Sequence, residues 1–288
     1  LDGFLDLDPQ RRHVALSLGI HYVSDHIQDV LRRAHNRFAH HDNYFVYMRP
    51  GSHALEAEVL SIAEELLGGG STGVTADFCA SGTEATVNAL FAAREWARRT
   101  KPHIRRPEVL APFSVHNVLS KAAEYLDLTV VRSPLRDDLH ADVDALESLS
   151  GPDTIAIMAS APNLAFGYYD DMPRLGRLAI EHDLWLHVDA TIGGFLAPFV
   201  SANGEHVPPW DFTVPGVRSS VSAGDTITTS DAAAARPCTR RPRSASTRAT
   251  VAARSRTVAA RAAARPTAPA TFGVPARRSR SCPPPSSW

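Results

Sequence analysis

The sequence predicts an α/β protein, in which helices cover both faces of a mainly parallel β-sheet. Two observations support this fold class. From residue 74 onward, short apolar segments bounded by turn residues alternate with segments of helical periodicity, which is typical of strand–helix–strand units. In the segment 184–195, an apolar run is followed by Asp189 and then by Gly193-Gly194. Open α/β sheets bind ligands at the carboxyl ends of their strands, where this carboxylate is expected.

Residues 1–53 are predicted to form an N-terminal segment that precedes this alternation. Apolar residues near helical spacing predict an amphipathic helix over 10–35. The polar, aromatic segment over 40–53, which contains His40, His41, Tyr44 and Tyr47, is expected either to line a pocket or to form an ordered surface loop. The next helix is predicted over 55–67, because the glycines at 68–70 form a helix stop signal.

The large domain is predicted over residues 54–225. Its strands are predicted at 74–79, 108–112, 128–132, 154–160 and 184–188. The helices between them are predicted at 81–99, 115–125, 141–149 and 170–182. Because the carboxyl ends of parallel strands meet at one edge of a sheet, polar residues that follow these strands are expected to lie together.

Four of these strand ends are followed by polar residues that point to one ligand: Ser81-Gly82-Thr83, His116, Asn163 and Asp189. Ser81 and Glu84 form a capping box, and the strand–turn–helix here directs backbone N–H groups and the Thr83 hydroxyl toward a phosphate. His116 offers a flat ring for stacking, and Asp189 is a buried carboxylate that requires a cation. Pyridoxal 5'-phosphate has a phosphate, a flat ring and a basic ring nitrogen. Simpler interpretations are a capped helix without ligand, a helix-start histidine and a carboxylate that caps its own turn.

Four segments in the same order resemble the pyridoxal-phosphate-dependent decarboxylase superfamily of fold type I. They are SGTEATVNAL at 81–90, SVHNVLSKAAEYL at 114–126, SAPNLAFGYYDD at 160–171 and LHVDATIGGF at 186–195. The last two, together with MRPGSHALEAEVLSIAEELLGG at 48–69, are most similar to the sphingosine-1-phosphate lyase branch. The resemblance implies the large domain of a fold type I enzyme.

The resemblance also implies a role for each matching residue. Gly82 and Thr83 match positions that bind the cofactor phosphate, and His116 matches the histidine that stacks on the pyridine ring. Asp189 matches the partner of the ring nitrogen, and Asn163 lies where the family has a polar residue near the cofactor. The family further implies pyridoxal 5'-phosphate as cofactor, an amine or amino-acid substrate, and a homodimer.

One part of the family pattern is missing from this sequence. The family's Schiff-base lysine lies in a segment resembling S-x-S-A-D-x-H-K, shortly after D-F-x-V-x-G-V. This chain has DFTVPGV at 211–217 and SSVSA at 219–223, but no His-Lys follows. Its only lysines are Lys101, expected to be solvated, and Lys121, expected to be a structural or surface residue. No catalytic residue is therefore predicted.

The predicted function is a pyridoxal-phosphate-dependent lyase acting at Cα of an amino acid or amine, inactive in this form because the lysine is absent. Decarboxylation and retro-aldol cleavage use the same machinery, and the C-terminal small domain of the family, which would distinguish them, is expected to be missing. The alternatives are an aminotransferase and a non-catalytic protein with a basic, nucleic-acid-binding tail.

The tail at 226–288 has an unusual composition. It contains twelve arginines and one acidic residue, Asp231, although the net charge of the whole chain is −1. Ala, Arg, Thr, Ser and Pro dominate it, and it has no Leu, Lys, Glu, His or Tyr. Such a composition does not build a core and predicts disorder. A reading-frame shift near 223–225 in a GC-rich gene would explain the abrupt change.

Composition also bounds the partners and the location. Twelve arginines favour polyanion binding, but the tail has no RNA-binding signature, so nucleic acid is not the expected partner. There is no run of eighteen apolar residues, so no membrane span is expected. Cys79, Cys238 and Cys282 have neither metal-site nor disulfide spacing, which predicts no metal site and a cytoplasmic location.

Overall fold

The structure is a computed structural model that describes residues 24–41, 50–69, 74–222 and, for the backbone alone, 227–231. The chain divides into two units, residues 1–59 and 60–288. Among the described residues, no helix is both long and apolar enough to cross a bilayer.

The first unit contains helix α1, Asp25–Phe38. The Ser24 hydroxyl caps it by accepting a hydrogen bond from the Ile27 N–H, and none of its residues is buried. The helix predicted over 10–35 therefore ends at Phe38, and its first half lies outside the described residues. Most of the segment 40–53 also lies outside them, but residues 50–53, predicted as a loop, are helical. Helix α2, Pro50–Leu66, begins in this unit and continues into the second.

The second unit is built on one seven-stranded sheet in the order β1-β7-β6-β5-β4-β2-β3. Strand β7 is antiparallel to both of its neighbours, and the remaining pairs are parallel. This confirms the predicted, mainly parallel sheet. The strands are β1 Val74–Phe78, β2 Glu108–Pro112, β3 Thr129–Ser133, β4 Thr154–Ser160, β5 Trp185–Ala190, β6 Val217–Ser222 and β7 Ile227–Asp231.

Helices pack on both faces of this sheet, as predicted. They are α3 Gly82–Thr100, α4 Val118–Leu126, α5 Val143–Leu149, α6 Met172–Glu181 and α7 Ala197–Ala202. Successive strand residues point to opposite faces, so Trp185 packs with the α3 and α4 core whereas Leu186 packs with the α5 and α6 core. Strands β4 and β5 are almost wholly buried, as expected for the centre of a parallel sheet.

Three elements differ from the sequence prediction. Helix α7 and strand β6 were not predicted, and β7 lies inside the tail that composition marks as disordered. Composition averages over a long segment, whereas the residues at 227–229 are Ile, Thr and Thr, all of them β-branched. Their backbone pairs with β1 and β6. The sheet thus extends beyond the predicted domain boundary at 225.

Candidate cofactor site

The N-terminus of α3 lies at the carboxyl end of the sheet. The Ser81 hydroxyl accepts a hydrogen bond from the Glu84 N–H at 3.2 Å, and the Glu84 carboxylate accepts one from the Ala80 N–H at 2.5 Å. This is the predicted capping box, except that the Glu84 carboxylate binds the N–H of Ala80 instead of that of the N-cap residue Ser81. No described atom accepts a hydrogen bond from the N–H groups of Gly82 and Thr83. With the positive end of the helix dipole, these donors suit an oxyanion.

Asp189 is the fifth residue of β5 and is half-buried. Its Oδ1 accepts hydrogen bonds from the Thr191 N–H at 3.1 Å and from the Thr191 hydroxyl at 2.7 Å. Its Oδ2 accepts none from the described residues, and no described cationic side chain forms an ion pair with it. The carboxylate therefore lacks the cation that its position at a strand end led us to expect.

The nearest titratable side chain on the same face of β5 does not supply that cation. His187 is fully buried, and this burial lowers its pKa to about 4, although Asp189 and a hydrogen bond to Ser219 act in the opposite direction. The imidazole is therefore neutral at neutral pH. The Ser219 hydroxyl lies 2.9 Å from His187 Nδ1 and accepts a hydrogen bond from the Trp185 indole N–H at 2.7 Å.

Gly82 and Asp189 are brought together through Thr191. A Cβ added at Gly82 would lie 3.9 Å from the Thr191 methyl carbon and 4.0 Å from its hydroxyl oxygen. The same Thr191 side chain binds Asp189. The N-terminus of α3 and the carboxylate of β5 thus lie on either side of the Thr191 side chain, which no sequence motif marked as a site residue.

Gly193 and Gly194 allow the turn after β5 to pack closely against the segment after β4 and the end of β6. A Cβ at Gly193 would lie 2.5 Å from the Ala161 carbonyl oxygen, and one at Gly194 would lie 2.4 Å from the Ser222 hydroxyl oxygen. Neither contact is sterically possible without movement. The turn after β5 therefore needs glycine because the segments after β4 and at the end of β6 approach so closely.

His116 lies in the loop between β2 and α4 and is exposed. Its Nδ1 accepts a hydrogen bond from the Val118 N–H at 3.1 Å, which caps α4 where the Asn117 side chain makes no such bond. This bond holds the imidazole at the carboxyl end of the sheet. No contact of the described residues joins His116 to Asp189, so its stacking on a cofactor ring stays a prediction.

Asn163 is buried and bound within its own loop. Its Oδ1 accepts a hydrogen bond from the Phe166 N–H at 2.8 Å, and its Nδ2 donates one to the Tyr168 carbonyl oxygen at 3.1 Å. The structure therefore gives Asn163 the task of holding the segment after β4. A direct contact with the cofactor stays a prediction.

Neither lysine makes a described contact with the residues of this site. Lys101, expected to be solvated, instead donates hydrogen bonds to the carbonyl oxygens of His182 and Asp183, and burial lowers its pKa. Those residues precede β5, about 20 Å along the strand from Asp189 at 3.3 Å per residue. The partial negative charge of backbone carbonyls explains why the ammonium is held there. Lys121 is exposed on α4, with its ammonium 5.6 Å from the centre of the Tyr125 ring.

These features fit pyridoxal 5'-phosphate. The free N–H groups of α3 suit its phosphate, and the Asp189 Oδ2 suits a protonated ring nitrogen, because each would satisfy a group that the described protein atoms leave without a partner. The absence of a side chain at Gly82 keeps the space between the two open.

Sequence comparison identifies relatives of two named activities. The chain is 34% identical over 194 residues to the sphingosine-1-phosphate lyase of Arabidopsis thaliana, covering 66% of this chain and 36% of that protein. It is 37% identical over 169 residues to the L-aspartate decarboxylase of Thermococcus kodakarensis, covering 59% of this chain and 42% of that protein. The chain thus spans less than half the length of either relative.

Solved structures show the same fold. The sphingosine-1-phosphate lyase of Burkholderia pseudomallei superposes with a TM-score of 0.71 at 27% identity, over 85% of this chain and 65% of that one. The glutamate decarboxylase of Lactobacillus brevis gives a TM-score of 0.60 at 18% identity, over 75% of this chain and 59% of that one. The second match supports the fold alone.

The family profile described as the pyridoxal-dependent decarboxylase conserved domain matches residues 39–227. This range contains all five predicted cofactor residues and ends at the first residue of β7. The predicted fold type and the predicted cofactor, pyridoxal 5'-phosphate, are confirmed at the level of the family. The chain belongs to the pyridoxal-dependent decarboxylase family.

Proposed function

We propose that this chain binds pyridoxal 5'-phosphate without a covalent bond and retains only the cofactor-binding half of a lyase site. The observation that carries the proposal is Asp189, whose Oδ2 is left without a hydrogen bond or an ion pair by the described residues, beside the free N–H groups of α3. In this proposal Gly82 and Thr83 bind the phosphate, His116 contacts the ring, and Asp189 holds a proton on the ring nitrogen.

The proposed parent activity is cleavage of a bond at Cα of an amino acid or amine. When bound, the cofactor supplies an electron sink for that bond. An ionised Asp189 maintains the sink by favouring the protonated ring nitrogen, since opposite charges at short range favour the charged forms of both groups. The names of the relatives include a lyase of a sphingoid phosphate and a decarboxylase of aspartate, and both chemistries are consistent with this assignment.

The connection between β6 and β7 supports the proposal that catalysis is incomplete. Strand β6 ends at Ser222 and β7 begins at Ile227, so four residues join two neighbouring antiparallel strands. Neither they nor the rest of the segment 217–231 includes a lysine. We further propose a reading-frame shift at 223–225. Resequencing the gene tests it: if no single-base change restores a His-Lys segment downstream, this part of the proposal is wrong.

Cofactor binding is tested by absorbance titration of the purified chain with pyridoxal 5'-phosphate. We expect saturable binding, weakened on the order of tenfold or more by Asp189→Asn because a charge-assisted contact is lost. Asp211→Asn is the matched control, since Asp211 makes the same pair of bonds to Thr213 elsewhere in the chain. Absence of binding by the unmodified chain would overturn the proposal.

The missing lysine is tested separately, by reduction with borohydride in the presence of the cofactor followed by peptide mass spectrometry. We expect no pyridoxyl-lysine, because Lys101 is bound at the opposite edge of the sheet and Lys121 is exposed on α4. A stoichiometric adduct on Lys121 would contradict the claim of incomplete catalysis. Homodimerisation and a cytoplasmic location stay predictions.

A further inference from the structure

Thr191 makes the two hydrogen bonds that hold Asp189 in place. Its backbone N–H and its hydroxyl both donate to Oδ1, at 3.1 and 2.7 Å. Both bonds therefore fall on one carboxylate oxygen. Hydrogen bonds to an ionised acceptor are stronger than those between neutral groups, so the pair fixes the rotation of the carboxylate and leaves Oδ2 available.

The same side chain also lies against the first residue of α3. The Thr191 methyl carbon and hydroxyl oxygen lie 3.9 and 4.0 Å from where a Gly82 Cβ would be. A side chain at position 82 would therefore be in ordinary van der Waals contact with Thr191, whereas the glycine leaves the space in front of Thr191 open. Thr191 thus connects the two groups to which the phosphate and the ring nitrogen were assigned.

We infer that Thr191 is a positioning residue for the cofactor ring, an inference that rests on the proposed function. Its hydroxyl orients Asp189 so that Oδ2 faces the ring nitrogen. An Asp189 without this hydroxyl would keep its charge but lose one of the two bonds that hold its orientation. The contribution of the ring nitrogen to binding would then fall.

A second Asp-x-Thr turn in the chain separates this role from an ordinary turn. Thr213 donates its N–H and its hydroxyl to Asp211 Oδ1 in the same pattern. Thr213 is exposed and precedes β6 rather than following a strand. Such turns are a common local use of Asp and Thr, so Thr213 provides a control with the same local chemistry.

The experiment compares Thr191→Val, Thr191→Ser and Thr213→Val in the full chain. Each is titrated with pyridoxal 5'-phosphate and with the analogue in which CH replaces the ring nitrogen, and thermal unfolding verifies that each is folded. The unmodified chain is expected to prefer the natural cofactor. Thr191→Val should reduce that preference about tenfold, the effect of one hydrogen bond to a charged group. Thr191→Ser should retain the preference, and Thr213→Val should not change it.

The outcomes distinguish this inference from the proposed function. If the unmodified chain binds neither compound, the proposed function fails. If it binds with a preference that Thr191→Val leaves unchanged, the positioning role is overturned and the proposed function stands. If Thr191→Ser loses the preference as fully as Thr191→Val, the hydroxyl is not the cause and the inference is again overturned.

Discussion

Gly193 and Gly194 illustrate a requirement for glycine that comes from space and not from backbone angles. Both lie in the turn after β5, and neither has the positive φ found at Gly167 or Gly216. At both positions an added Cβ would lie closer to a neighbouring backbone or side-chain atom than a Cβ can. The turn thereby brings the segment after β4 and Ser222, the last residue of β6, close to the segment after β5.

Replacing Gly194 with alanine is expected to lower the free energy of unfolding by about 1–3 kcal/mol, the usual cost of overpacking. The new Cβ would lie 2.4 Å from the Ser222 hydroxyl oxygen and 2.9 Å from the Ala190 carbonyl oxygen. Urea denaturation measures the change. Gly151→Ala is the control, since its nearest atom is the Glu108 carboxylate at 4.0 Å, and an equal cost at both positions would contradict this explanation.

Local structure at the candidate site was predictable where one segment carried the whole signal. The capping bonds of Ser81 and Glu84 and the position of Asp189 at the end of an apolar run are both local patterns, whereas the roles of Gly82 and Asp189 toward the cofactor stay predictions. His187 had a usable signal, since residues two apart on a strand share a face. Ser219 did not, because its contact with His187 depends on the register between β5 and β6, and this register results from tertiary packing.

At the scale of elements, β7 determines whether β1 belongs to the sheet. Five residue pairs join β1 to β7, and β7 is the only described strand that pairs with β1. Strand β7 also pairs with β6 through four residues. The five residues of β7 thus join β1 to β6 in the sheet, although they lie in the segment that composition predicts to be disordered.

Deleting β7 is expected to lower the melting temperature by several degrees and to expose β1 to proteolysis, since the β1 backbone loses its hydrogen-bonding partner. The comparison is between a chain that ends after residue 222 and one that ends after residue 235. The longer chain keeps β7 and should melt close to the full-length protein. Equal melting of all three chains would show that β7 contributes nothing to stability.

The strands predicted correctly from the sequence are those with apolar residues. Strands β2 and β4 have the predicted bounds because their residues form apolar runs in the middle of the sheet. Strand β6 was missed because its sequence, VRSSVS, is half serine. Ser219, Ser220 and Ser222 are nevertheless buried, and the Ser219 hydroxyl lies within hydrogen-bonding distance of Trp185 and His187 on β5. A partner on a neighbouring strand is not visible in the sequence alone.

At the scale of the whole molecule, two buried groups give stability opposite dependences on pH. The Asp170 carboxylate accepts a hydrogen bond from the Ser160 N–H at 2.7 Å, but burial raises its pKa to about 6. The unfolded chain therefore releases this proton first, and stability falls as pH rises from about 4 to 6. His187, with a pKa lowered to about 4 by burial, has the reverse effect, and stability rises over the same interval.

Asp170→Asn should therefore reveal the His187 contribution. The amide stays neutral, so relative to the unmodified chain the variant should gain stability as pH rises from 4 to above 6, by up to about 3 kcal/mol. Urea denaturation at half-unit pH intervals measures this. Near pH 3.5 the Asp170 carboxyl group of the folded chain and the amide that replaces it in the variant are both neutral. The difference in stability between the two proteins at this pH is therefore the reference for the higher pH values. A difference that does not vary with pH would contradict a raised pKa at Asp170.

The position of β7 has an evolutionary consequence. A strand that lies between two others is held mainly by main-chain hydrogen bonds, and every residue except proline can both donate and accept them. A segment of unrelated sequence therefore needs only a few β-branched residues to fill this position. Under the proposed reading-frame shift, 227–231 is such a segment, and the open sheet keeps β1 as its edge strand although the ancestral sequence at this place is lost.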